Sequence, residues 1–320
     1  MTQTATVGVT QDPNHKLRRA EILRAQPEVK ALFGPSSATA WLGFAAVLLQ
    51  VALAWTASRL PWWGTPLLAL GLGAFIMHFV NCIAHECAHN LVFRGTRLNK
   101  AFSIFVTLPS LAPSALAFRH YHLLHHWHFG ARGMDSDVPT ELEVRVVGRS
   151  RLRKLLWVLL LPLTYTVIHP LQVRQRLPFD GWLFANIVLV AAAWGAAFLL
   201  GGWAAVIFLL LSSYLAVGPH PAGAHILQEH IAFDGGNGMS SYYGPINLVS
   251  VNLGYHLEHH DLPHIAGWRL PRLQRLAPQF YEDQFRHMSR LRGLWQFVTD
   301  SKIGLDSRPI KEIDAGFSPL

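Results

Sequence analysis

Four apolar stretches, residues 39–58, 66–84, 182–200 and 203–217, are long enough, or nearly so, to cross a bilayer. Crossing takes roughly 17–25 residues of helix. A chain carrying such stretches is not expected to fold as a water-soluble domain, because in hydrocarbon every backbone polar group must be satisfied internally. The apolar residues are blocked rather than alternating, so the expected elements are helices. The stretches also pair: short turns at 61–64 and at Gly201–Gly202 join the first to the second and the third to the fourth. The fourth is short and can borrow Gly218 and Pro219.

Charge placement orients these two hairpins. Of 27 Lys and Arg, only Arg59 falls between the first and second stretches, and none between the third and fourth. Basic residues collect on the cytoplasmic side of a membrane. Both termini and the long middle segment are therefore expected there. The net charge of +8 is spread over these membrane-adjacent segments, where anionic lipid attracts it, and no basic stripe interleaved with aromatics points to nucleic acid. Trp41, Trp62, Trp63, Trp182 and Trp203 lie near stretch ends, as interfacial anchors do. Two cysteines, Cys82 and Cys87, do not make a disulfide framework. A polar, charged beginning argues against a cleavable leader, and Thr2 against N-myristoylation.

Two further apolar segments, 101–118 and 155–171, contain Pro109, Pro113, Pro162 and Pro170. Proline costs helix continuity, so both are expected as interfacial or re-entrant pieces. A short amphipathic helix is expected over 16–26, ended by Pro27. After residue 218 the chain turns polar, with a Gly-rich loop at 235–238. The expected fold is an all-α integral membrane protein of one domain, residues 1–320. It has a cytoplasmic lead over 1–38, four transmembrane helices in two hairpins, interfacial helices, and a cytoplasmic helical cap over 218–320.

The chemistry is carried by histidine. Three clusters read His85-Glu86-Cys87-Ala88-His89, His122-Leu123-Leu124-His125-His126 and His256-Leu257-Glu258-His259-His260. Residues three and four apart share one helix face, so each cluster offers two or three imidazoles together. Neutral imidazole is the commonest metal ligand, and eight of them suit two ions better than one. The clusters follow the second stretch, precede the 155–171 segment and follow the fourth stretch, all on the expected cytoplasmic side. His225, just after the fourth, is the ninth candidate donor, with His220 and His230 competing. Metal-bound imidazoles usually donate their other N–H to a carboxylate or carbonyl. Glu86, Glu229, Glu258, Asp135, Asp137 and Asp261 are candidates for that role, or else are cap and loop charges. His78 is a structural or outer-layer candidate. His15, His169, His264 and His287 are expected at the surface or in interfaces. Imidazole suits zinc, copper, iron and nickel alike.

These motifs resemble the membrane fatty acyl desaturase and hydroxylase superfamily, and within it the sphingolipid (dihydroceramide) Δ4-desaturases. The resemblance covers roughly residues 12–300. It is carried by Asp12-Pro13-Asn14-His15, Arg18-Arg19-Ala20-Glu21-Ile22-Leu23, the three histidine boxes, Asp135-Ser136-Asp137-Val138-Pro139-Thr140, Ser241-Tyr242-Tyr243-Gly244-Pro245-Ile246-Asn247 and His259-His260-Asp261-Leu262-Pro263. It implies a non-haem di-iron centre. The implied ligands are His85, His89, His122, His125, His126, His256, His259 and His260, with His225 as the ninth. It implies O2-dependent insertion of a trans C4–C5 double bond into the sphingoid base of dihydroceramide, with C4 hydroxylation as the runner-up on the same scaffold. Electrons would come from a separate donor such as cytochrome b5 or a ferredoxin, docking on the basic face, since no spare module for a fused carrier remains. His120 and His128 are extra to the pattern and are not expected to be ligands. Tyr242, Tyr243 and Asn247 are candidates for the lipid headgroup, or for loop packing.

Two other classes compete. His85-Glu86-x-x-His89 is also a zinc metalloprotease motif, but that reading leaves the other boxes idle. A metal transporter would place histidines at mid-membrane depth, where only His78 comes near. Alanine, leucine and arginine usage suits a bacterial inner membrane; the endoplasmic reticulum is the other compartment.

Overall fold

The computed structural model describes residues 13–235 and 238–312. Thr2, Asp12, Gly236, Asn237 and the final Phe317–Leu320 stretch, on which some of the expectations above fell, lie outside the described residues.

The chain is helical almost throughout, as blocked apolar sequence dictates. Helix α1 (Pro13–Ala25) ends where Pro27 opens a 3₁₀ turn. Helices α2 (Ala38–Ala57) and α3 (Gly64–Ala88) follow, joined by the short turn around Pro61. The pair α4 (Thr96–Thr107) and α5 (Ser114–Trp127) is bent by 118°. Then come α6 (Glu141–Val147), α7 (Arg151–Gln172) and the long α8 (Gly181–Val217). The cap contains α9 (His225–His230), α10 (His256–Asp261), α11 (Leu270–Leu276) and α12 (Arg290–Thr299). The one sheet among the described residues is small: Ser241–Tyr242 pairs in parallel with Arg286–His287.

Four helices are long and apolar enough to cross a membrane: α2, α3, α7 and α8. Their outward faces carry exposed Leu48, Leu67, Leu70, Ile187 and Leu199, which in water would be a liability and in lipid is not. Helix α8 is two helices. Gly201 and Gly202 leave helical geometry, and Gly202 takes φ +60°, a conformation glycine adopts without a Cβ penalty. Trp194, before the break, donates to Leu111 O, and Ser213, after it, donates to Ser110 O. Both halves therefore reach the same turn and fold back side by side, the hairpin that Gly201–Gly202 led one to expect.

Helix α3 carries a π-turn at Ala69–Gly73. Gly73 lies where a Cβ would collide with Ser212 and Phe208 of α8, so the two helices cross at close range there. The wider turn leaves the Leu70 carbonyl to accept from His220 Nε2 at 3.1 Å. His220 thereby mends an irregular helix.

The bent pair α4–α5 begins just after His89 and ends on the second box, beside the first. Both outer ends thus lie on one side, the form of a re-entrant hairpin. Helix α7 corrects a detail. Despite Pro162 it runs unbroken, through a π-turn at Thr164–Ile168, and is long enough to span. Its two ends are nevertheless fastened to polar segments. Lys154 Nζ donates to the carbonyls of Asp300 and Ile303, and His169 meets Glu143 at 3.0 Å. The helix thus has membrane length while lying against the cap, with Leu155, Leu159, Leu163 and Leu171 facing outward. His169 and His287, expected at the surface or in interfaces, are both buried, His169 against Glu143.

Candidate metal centre

The last turn of α3 brings His85 and His89 to one end of the bundle, and the last turns of α5 bring His122, His125 and His126 against them. The short helix α10 adds His256, His259 and His260. It is held in place by Ile22 and Leu32, packed with Leu257, Leu262 and Ile265 in one apolar cluster. The lead segment therefore roofs the third box.

The imidazoles converge into two groups. In the first, the donor atoms of His85, His89, His122, His126 and His259 all lie within 4.8 Å of one another. His89 Nε2 is 2.9 Å from His122 Nε2, and His126 Nε2 is 3.2 Å from His259 Nε2. Two nitrogens held at about 2.1 Å from a shared ion, at right angles, would stand about 3 Å apart. In the second group, His125, His230 and His260 lie within the same 4.8 Å limit, and His256 Nε2 is 3.2 Å from His230 Nε2. The stacked rings of His126 and His260, 4.0 Å apart, join the groups.

The polar accounting fits a metal. His125 Nε2 and His260 Nε2 are buried with no hydrogen-bond partner, a state that costs free energy unless something else takes the lone pair. In the third box, burial first and then neighbouring imidazoles hold His256 and His260 well below the usual histidine range; His259 is lowered to about 3 by burial and His125. Neutral imidazole is the form that ligates.

Of the candidate carboxylates, Asp135, Asp137 and Glu229 face these rings, while Glu86, Glu258 and Asp261 meet other partners. His125 Nδ1 donates to Asp135 Oδ1 at 2.9 Å, leaving Nε2 for the centre. Asp135 in turn accepts from the Gly130 and Asp137 amides at 2.7 and 2.8 Å, with Arg308 3.4 Å away. Burial would raise Asp135, but His125 and Arg308 outweigh it and hold the carboxyl at about 2. Glu229 lies 3.6 Å from His256 Nδ1. Glu258 accepts from Ser241 and Tyr243, and Asp261 pairs with His15 Nδ1 at 2.6 Å. Glu86 accepts from the Gly267 amide.

The structure sorts the remaining candidates. His225 joins neither group; its Nδ1 is engaged with Ala222 O, and its ring stands 4.8 Å from that of His78. His230 takes the place beside His125 and His260. The two are five apart on α9, so they face different directions, which spacing relative to the fourth stretch could not reveal. His220 serves the π-turn of α3. Tyr242 and Asn247 pack within their own loop: the Asn247 amide donates to Tyr242 O and its carbonyl accepts from the Gly254 amide. Tyr243 is committed to Glu258. His120 reaches Gln175 O, outside both groups. Reading the sequence missed Arg308 and Arg290, which come from the far end of the chain with no motif around them.

Comparison with known proteins agrees with this geometry. A family model described as fatty acid desaturase matches residues 60–292. The chain is 37% identical over 295 residues to the sphingolipid delta(4)-desaturase/C4-monooxygenase DES2 of Homo sapiens, covering 92% of this chain and 90% of that protein. It is 35% identical over 297 residues to the sphingolipid delta(4)-desaturase DES1 of Drosophila melanogaster, covering 92% and 91%. It is 37% identical over 314 residues to the sphingolipid delta(4)-desaturase of Schizosaccharomyces pombe, covering 92% and 84%. With a matching family model over most of its length, and such relatives end to end, the chain belongs to the fatty acid desaturase family.

Proposed function

We propose that this protein is a membrane oxidoreductase that inserts a trans C4–C5 double bond into the sphingoid base of a dihydroceramide. The observation that carries the reading is the convergence of all three boxes, with His230, into two adjacent buried groups. It is supported by relatives named for that reaction over nine-tenths of the chain. The first group would hold one iron through His85, His89, His122, His126 and His259. The second would hold another through His125, His230, His256 and His260. Two such irons, with O2 and electrons from a separate carrier such as cytochrome b5 or a ferredoxin, supply the oxidising power to break an unactivated C–H bond, which no side chain supplies.

The chain's own residues do the rest. Asp135 fixes the His125 ring and its tautomer. Glu229 reaches from α9 to His256, Glu258 ties α10 to the Ser241–Tyr243 segment, and α1 covers the third box from water. Both termini are read as cytoplasmic from the charge asymmetry. The zinc protease reading fits poorly, since Glu86 accepts from a backbone amide instead of facing an ion alone with its two histidines.

Expression in a host that accumulates dihydroceramide, followed by lipid mass spectrometry, tests the proposal. Loss of two hydrogens is expected. Gain of one oxygen would mark C4 hydroxylation, a reading favoured by the double name of the mammalian relatives. His125→Ala or His260→Ala should abolish either product. Lipids left unchanged by the native enzyme, with its electron donor supplied, would overturn both.

A further inference from the structure

A chamber of about 80 Å³ opens beside the box histidines, among α3, α7, α9 and the cap. His85, His122 and His256 line part of it, and so do Asn81, Asp137, Tyr165, Glu229 and Arg290. Glu229 and Arg290 are buried there, and Asn81, Asp137 and Tyr165 are partly buried. Arg290 is 2% exposed and lies 3.6 Å from Glu229, yet its Nε has no hydrogen-bond partner. Tyr165 and Asp137 line it together, and Asp137 lies 3.6 Å from His230 Nε2. Tyr165 sits on the π-turn of α7, a distortion that recurs at functional sites.

A mid-chain lipid desaturase needs no such groups, because its reacting carbons lie many bonds from anything polar. A sphingoid base differs. C4 is bonded to C3, which carries a hydroxyl, and C2 carries the amide nitrogen. The C3 oxygen is two bonds from C4, roughly 2.4 Å, and a hydrogen-bond partner adds about 2.8 Å. A side chain that holds that hydroxyl must therefore lie within roughly 5 Å of the reacting carbon. Only polar residues beside the metal donors can do this, and burying them there is otherwise costly.

Resting on the function proposed above, we infer that this chamber seats the polar end of the sphingoid substrate. The C3 hydroxyl hydrogen-bonds the Tyr165 oxygen, with Asp137 lining the chamber beside it. Arg290, steadied by Glu229, faces the amide oxygen. The headgroup residues are thus Tyr165, Asp137 and Arg290, in place of Tyr242 and Asn247.

The test pairs enzyme and substrate variants. Turnover of dihydroceramide and of its 3-deoxy analogue is measured with the native enzyme and with Tyr165→Phe, both shown to carry equal iron. The native enzyme should favour the hydroxylated lipid in kcat/KM by about tenfold or more. Tyr165→Phe should lose most of that advantage on dihydroceramide, chiefly in KM, and leave the 3-deoxy lipid unchanged. Equal losses on both lipids would overturn the assignment and mark Tyr165 as a packing residue. Should Tyr165→Phe not fold, the native enzyme still decides, since indifference to the C3 hydroxyl also overturns it. An enzyme that desaturated plain acyl lipids and neither sphingoid lipid would instead bring down the function itself.

Discussion

The two histidine groups are neighbours, yet they are built differently. The first is imidazole alone: His85, His89, His122, His126 and His259 gather their donor atoms with no carboxylate among them. The second is ringed by charge. His125 is held by Asp135, with Asp137 3.7 Å away, and Asp137 is 3.6 Å from His230. Glu229 and Arg290 stand behind His256. The first group is fixed by the ends of three helices, the α3 end capped by Arg119, which donates to the Cys87 and Ala88 carbonyls. The second depends on loops and on the C-terminal cap, through Arg290 and Arg308. Two similar donor sets can thus be positioned by helix ends or by a polar network, and the latter should fail when one member is removed.

After the box histidines themselves, the largest effect expected is at His230. His230→Ala should lower desaturation by more than about 100-fold, beyond the range for an outer partner, while His225→Ala should cost about tenfold at most. Activity and iron content of the two purified variants decide this; the reverse order would return the ninth position to His225. Asp135→Asn comes next. Iron binding should weaken by about 10- to 100-fold, and selectively. Metal analysis should show retention at the imidazole-only group and loss at its neighbour. Equal loss from both would erase the distinction drawn between them.

The smallest effect serves as a control. Glu143 pairs with His169 and accepts from Trp157 Nε1 and the Thr140 amide, away from either group. Burial would raise its carboxyl, but these partners outweigh it and hold it at about 2, against 4.5 ordinarily. A lowered carboxyl stabilises the fold fully above its unfolded value and loses that contribution as pH falls toward the folded one. Glu143→Gln should leave iron content unchanged and lower the thermal midpoint. The gap to the native protein should stay level above about pH 5 and close as pH drops. A gap that widened in acid would contradict the sign. Loss of iron would tie this pair to the centre.

How much of this was legible beforehand varies by region. The eight box histidines were legible because helical spacing alone puts each set on one face. The hairpin break at Gly201–Gly202 was legible because two glycines between apolar runs leave few alternatives. Helix α7 was harder, since its prolines hid a helix that a π-turn and cap contacts keep continuous. Tyr165, Arg290 and Arg308 were illegible, being single residues whose partners lie far away in sequence.

Local periodicity and the distribution of charge determined a membrane-embedded helical chain with three donor boxes at one end, because both act over a few turns of helix. The folded arrangement alone decided which donors share a group, that His230 and not His225 stands beside them, and which carboxylates brace them. Those choices depend on contacts between segments far apart in the chain, 173 residues for Asp135 with Arg308, and no local pattern encodes a distance of that kind.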